Sequence, residues 1–277
     1  MLRQPAVAGY FYQGSAESLR RQVEEFVTRG SAKAAAYGIL APHAGLKYSG
    51  AVAGAVYSSI EIPDTVVLIG PNHTGLGTPV SLMSHGRWKT PLGEVDIDEA
   101  LASAILNKSG LIHEDSLAHL REHSLEVQLP FLQYFKKALK IVPIQMMDIR
   151  LETCLELGRA VSSSIQERVH GQEIKEPKKH EVLIVASSDM THYESAETAR
   201  KKDMKAIQQM LELDPEGLYR AIKEYDISMC GFGPAVAMLT ACKALGATEA
   251  DLVKYANSGD ASNDFASVVG YAGLIVR

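Results

Sequence analysis

The sequence predicts an α/β fold: a single domain spanning residues 1–277, in which helices flank a central β-sheet that is largely parallel or mixed. Three observations predict it. Strand-like runs recur along the chain, amphipathic helical segments separate them, and several runs are apolar on successive residues, the pattern of strands covered on both faces. With 46% hydrophobic residues among 277, the chain can fill a sizeable core.

The first helix is written in SAESLRRQVEEFVTRG, where Leu19, Val23, Phe26 and Val27 share a stripe, Ser15 is a candidate N-cap and Gly30 lies just past the end. Strands follow in AAYGILA, TVVLIG and LKIVPIQ. The polar stretch HGQEIKEPKKH, His170 to His180, reads as a solvated loop between a helix and a strand and does not look like a domain linker. EVLIVASS is the next strand, and helices follow in SAETARKKDMKAIQQMLEL and GPAVAMLTACKALGA. In the latter, Pro234 suits the first helical position and Gly246 the stop. The runs DLVKYA and YAGLIVR complete the set of strands.

Bulk chemistry narrows the function. A formal charge of −5 and a pI near 6.0, with basic and acidic residues interleaved, leave no basic face to track phosphates, so nucleic acid is not an expected partner. The opening MLRQPAVAGYFYQG has no apolar core of secretory length, and no run reaches the ~18 apolar residues of a membrane span, so the expected location is the cytoplasm, away from membranes. Three scattered cysteines, Cys154, Cys230 and Cys242, do not make a disulfide framework. There is no internal repeat, Walker A loop or G-x-G-x-x-G fingerprint, and nucleotide binding has no support.

Ligands of open α/β sheets bind beyond the carboxyl ends of the strands. There the polar chemistry gathers: APHAG with His43, GPNHTG with Asn72 and His73, SSDMTHY with Asp189 and His192, and NSGD with Asp260. Cys230, in SMCGFGP, lies at the mouth of a predicted helix, where the helix dipole favours a thiolate; Cys154 and Cys242 sit mid-helix and read as packing. Two neutral imidazoles and a thiolate from separate loops make a three-ligand site for a divalent transition metal, with positions left open for substrate.

HLREH, His119 to His123, matches the inverted zinc-peptidase pattern H-x-x-E-H, which places both histidines on one helical face with Glu122 as general base. The preferred reading is that Glu122, His123 and Glu126 line the crevice around the metal or contact substrate.

APHAG, GPNH, EHSLEVQLPF, SSDMTHY, MCGFGP and YANSGD, in this order and nearly end to end, resemble the Memo family, and AVAGYFY resembles that family's first strand. The family in turn resembles the class III extradiol dioxygenases of the LigB type, whose ferrous iron is held by two histidines and a carboxylate. That resemblance implies His43, His73 and Cys230 as metal ligands, Cys230 replacing a glutamate. It also implies His192 as acid and base, with Asp189 in the same pocket. A thiolate shifts metal preference toward copper, zinc or a differently tuned iron and is itself oxidisable. The expected function is therefore a metal-dependent redox enzyme, most simply with Fe(II), acting on a small substrate. His192, oriented by Asp189 or Thr191, would transfer the proton, and Asn72 and Asp260 would contact substrate or the ligands. The resemblance also implies partnership with radical SAM and AMMECR-type proteins. Animal relatives are described as binding phosphorylated receptor peptides, but no arginine cluster here would grip a phosphate. Two alternatives stand beside the enzyme: a non-catalytic metal- or peptide-binding module, and a zinc-dependent hydrolase.

Overall fold

All six apolar runs fold as strands in the computed structural model, which describes residues 1–28, 30, 32–170 and 181–277. They are β2 (Gly38–Ala41), β3 (Thr65–Pro71), β8 (Lys140–Met146), β9 (Val182–Ser187), β11 (Ala250–Asn257) and β12 (Val268–Val276). Shorter strands complete the sheet: β1 (Leu2–Arg3), β4 (Val80–Leu82), β5 (Arg87–Thr90), β6 (Gly93–Ile97), β7 (His113–Glu114) and β10 (His192–Glu194). The helices are α1 (Ala16–Phe26), α2 (Leu46–Ser58), α3 (Glu99–Leu106), α4 (Leu129–Phe135), α5 (Leu151–His170), α6 (Ala196–Leu211), α7 (Pro215–Glu224), α8 (Phe232–Leu245) and α9 (Gly259–Ser262).

Among the described residues the sheet has twelve strands, and its spine runs β6-β8-β3-β9-β2-β12 with β11 beyond. β6, β8, β3, β9 and β2 are parallel, and β12 and β11 continue the sheet antiparallel. The parallel core is buried on both faces: every residue of β2, β3 and β9 is buried, which is why those runs do not alternate. Register shows the two helical layers. Leu40 pairs with Leu274, so Gly38 lies on one face and Gly273 on the other. Gly38 meets Met238 and Cys242 of α8, and Gly273 meets Val52 and Val56 of α2, so α8 and α2 cover opposite faces.

Several local expectations need adjusting. Ser15 caps α1 by accepting from Ser18 N at 3.3 Å, but the helix stops at Phe26, short of Gly30. AVAGYFY is not a strand: it folds as a turn closed by an Ala8–Tyr12 bridge, with Gly9 at φ +83°. α8 begins at Phe232, so Pro234 is its third residue; the missing N–H costs nothing there, because the first four have no helical partner. Gly246 does end the helix, in a left-handed conformation at φ +102°. Residues 171–180, which hold nearly all of the expected polar loop, lie outside the described residues. No described helix is long and apolar enough to cross a membrane.

Candidate metal centre

β9 lies between β2 and β3, so the loops that leave the carboxyl ends of β2 and β3 meet over the end of β9. His43 comes from the first loop and His73 from the second. A third imidazole, His123, arrives from the irregular chain between the 3₁₀ turns Leu117–His119 and Glu126–Gln128. Ligand nitrogens of these three side chains lie within 4.8 Å of one another, a group able to hold a metal ion. Ring centroids are 5.3 Å apart for His43 and His73, 5.5 Å for His43 and His123, and 4.8 Å for His73 and His123. His43 is buried, while His73 opens to solvent.

His43 and His73 are each tethered through one ring nitrogen. The Ser187 hydroxyl donates its hydrogen to Ser124 O at 2.6 Å, so toward His43 Nδ1, 2.9 Å away, it can only accept. His43 therefore carries its proton on Nδ1 and presents an Nε2 lone pair. Gln128 fixes that serine, donating to its oxygen at 2.8 Å while accepting from Tyr57 at 2.9 Å. Glu122 does the same for His73, whose Nδ1 lies 3.0 Å from one carboxylate oxygen; the same oxygen stands in ion-pair range, 3.3 Å, of His123 Nδ1. A ring nitrogen anchored to a carboxylate or hydroxyl, with the other left free, is the arrangement of a ligating histidine.

Glu122 is fully buried and also accepts the backbone N–H of His73, His123 (2.8 Å) and Ser124 (2.9 Å). Burial pushes its pKa up, but the hydrogen bonds from His73 and the backbone outweigh it and hold the carboxyl at about 2. Saturated with donors, it has no oxygen free to act as a general base. His43 is held well below the usual histidine range by burial and by the neighbouring imidazoles, so it stays neutral, as a ligand must. Burial pulls His73 down, but the Glu122 carboxylate raises it further.

Cys230 brings its sulfur 3.3 Å from His43 Nε2, beside the three-imidazole group, and accepts from Asp189 N at 3.3 Å. Donors that share one ion through bonds of roughly 2.0–2.3 Å stand roughly 3–4 Å apart. The expected helix-mouth activation is reversed: burial, followed by the negative charge of Asp189, pushes this thiol well above its ordinary pKa. Gly231 permits the approach, since a Cβ there would lie 2.3 Å from Ser187 O.

The remaining expected residues divide. Asp189 accepts from His43 N (2.8 Å) and Ala44 N (3.2 Å), so it positions the His43 loop and not His192. Ser228 orients His192, accepting from His192 N through its hydroxyl at 2.8 Å and from Nδ1 through its carbonyl at 2.9 Å; neither Asp189 nor Thr191 does so. His192 Nε2 is left with its lone pair. Asn72 shapes its own turn, accepting from Thr74 N (2.9 Å) and Gly75 N (3.2 Å). Asp260 accepts from Asn257 N at 3.0 Å on the surface. Glu126 does not line the crevice: it is fully buried against Arg3 and accepts from Ala6 N, Val7 N and Tyr12. The zinc-peptidase pattern is not helical. His119 is buried against Trp88 (5.6 Å between centroids), outside the imidazole group, and burial and Arg3 hold its pKa to about 3.

Fold and site together define an α/β protein with a group of three imidazoles, able to hold a metal ion, at the carboxyl ends of its parallel strands. A family model described as Memo-like protein matches residues 3–275, and the chain belongs to that family. It is 46% identical over 278 residues to a MEMO1 family protein of Aquifex aeolicus, covering 99% of this chain and 98% of that one. It is 41% identical over 291 residues to one of Methanopyrus kandleri, covering 100% and 99%. Among solved structures, an uncharacterized protein of Escherichia coli K12 superposes with a TM-score of 0.52 at 13% identity, over 86% of this chain and 98% of that one, a likeness of fold.

Proposed function

We propose that this Memo-family protein is a metal-dependent redox enzyme acting on a small oxygen-bearing substrate, with Fe(II) as its metal. The observation that carries the proposal is the convergence of His43, His73 and His123, whose ligand nitrogens lie within 4.8 Å of one another, with His43 and His73 anchored through Nδ1. His43 and His73 would hold the ion, joined by the sulfur of Cys230, with His123 beside them. When bound, such an ion polarises a coordinated oxygen and supplies one-electron chemistry. Iron follows from the resemblance to ring-cleaving dioxygenases; the sulfur donor suits copper and zinc as well.

The chain's own residues would do the rest. Glu122 keeps two imidazoles oriented without competing for protons. Asp189 holds the His43 loop from behind. His192, with Nδ1–H committed to the Ser228 carbonyl, would present Nε2 to accept a substrate proton and return it.

Elemental analysis of protein purified without oxygen tests this on wild type and on His43→Ala, His123→Ala and Cys230→Ala. The expected result is close to one equivalent of iron in wild type and none in His43→Ala. The two remaining variants show whether sulfur or the third imidazole bonds the ion. Wild type that takes up no iron, copper or zinc, even on reconstitution, ends the proposal.

A further inference from the structure

The sheet holds the loop that carries Glu122 and His123 at Ser124, which donates to Pro71 O of β3 at 2.9 Å and accepts from Ser187 Oγ of β9 at 2.6 Å. Between the turns at Leu117–His119 and Glu126–Gln128 the chain has neither helix nor strand, although it must place a carboxylate and an imidazole accurately. Arg3 holds the loop on either side of that point, at His119, Glu122 and Glu126. β1 pairs with β5 through only two residues, and the Arg3 side chain is completely buried, its guanidinium carbon 4.3 Å above the Trp88 ring. Each of its three nitrogens meets a separate acceptor on the loop: Nε donates to His119 O at 2.9 Å, Nη2 to Glu122 O at 2.6 Å, and Nη1 to the Glu126 carboxylate. Both ends of the His119–Glu126 segment, and Glu122 within it, are thus fixed to one planar group.

The contacts continue in both directions. The carboxylate of Glu122, whose carbonyl Arg3 holds, is the group that orients His73 and His123. Glu126 in turn accepts from Ala6 N and Val7 N, securing a turn that sets Phe11 edge-on to His123 at 4.8 Å. The Phe11 carbonyl accepts from Leu46 N at 2.8 Å, immediately behind the His43 loop. Nothing in the sequence marks Arg3, which stands over one hundred residues from each of its three acceptors.

We infer that Arg3 is a positioning residue for the imidazole group, setting the geometry of His73 and His123 through Glu122. This rests on the metal-centre reading given above. Lysine cannot substitute: it keeps the charge, but its single nitrogen cannot reach three acceptors arrayed around a planar fork.

The test is Co(II) titration of the metal-free full-length protein, following the visible ligand-field bands, in wild type, Arg3→Lys, the double variant Arg3→Met with Glu126→Leu, and His43→Ala. Circular dichroism and gel filtration report folding. The double variant replaces the buried pair by apolar groups, an exchange that folds tolerate better than loss of one partner. Folded Arg3 variants are expected to bind Co(II) roughly 10-fold more weakly, with shifted bands, because the ring orientations change. Wild-type affinity and bands in either folded variant would overturn the inference, and loss of the fold in both would assign Arg3 to stability alone and overturn it as well. No Co(II) uptake by wild type would sink the metal-centre reading itself, whereas uptake by wild type that His43→Ala abolishes would leave that reading standing whatever the Arg3 variants do.

Discussion

Glu122 accepts from the His73 imidazole and three backbone N–H groups, with the His123 ring in ion-pair range, and the pH behaviour of the metal-free protein follows from it. Its folded pKa, about 2, lies below the ordinary 4.5, so its contribution is full above pH 4.5 and is lost as pH falls toward 2. His73 is raised above 6.5, so its share is full below 6.5 and fades as pH rises through the higher folded value. The pair is strongest between about pH 4.5 and 6.5. Urea midpoints of metal-free protein are expected to drop between pH 5 and pH 3 by an amount worth about 2 kcal/mol in wild type, and by clearly less in Glu122→Gln. His192→Ala is expected to retain wild-type metal content in elemental analysis, because its ring is tied to Ser228 and stands outside the imidazole group. His43 and His73 could be read from sequence because each follows an uninterrupted apolar strand. His123 was read as lining the crevice but not as one of the group, because an irregular loop has no periodicity to show where its side chains point. The Cys230 thiol was misread for a related reason: helix position is visible in sequence, whereas burial beside Asp189 is a tertiary fact.

At the scale of elements, two glycines at the ends of α8 do different work. At Gly231 a methyl group would press on Ser187 O (2.3 Å) and Ser188 Cβ (2.5 Å), so Gly231→Ala must push the helix mouth, and Cys230 with it, off the end of β9. A loss of about 1–3 kcal/mol in urea unfolding is expected, with m unchanged. Gly246 has open space around it except Tyr37 Oη at 3.6 Å, so Gly246→Ala is expected to cost only the left-handed conformation, about 1 kcal/mol by the same measurement. The six core strands were legible because burial on both faces leaves an unbroken apolar run. Strands such as β1 and β7, two residues each, were not, since nothing but their tertiary partners makes them strands. α8 was legible, but its start was read at Pro234, two residues late, because a proline is tolerated anywhere in a first turn.

For the molecule as a whole, metal binding and folding should be linked. An ion that binds only the folded state at 100 times its dissociation constant stabilises by about 2.7 kcal/mol, so thermal unfolding of wild type is expected to rise by roughly 5 °C with added metal. The His43→Ala melting temperature should not respond. Fold class and the crowding of chemistry at strand ends were readable at this scale, but not the segment Met1 to Tyr12, whose role depends on groups more than a hundred residues away. The pairing of β2 with β12 joins Leu40 to Leu274. During synthesis, the edge of β2 that will face β12 emerges from the ribosome long before its partner exists, and it waits exposed through more than two hundred further residues. Assembly of the sheet is thus completed only after translation of the last strand, which makes the nascent chain a natural client for chaperones and its refolding slow.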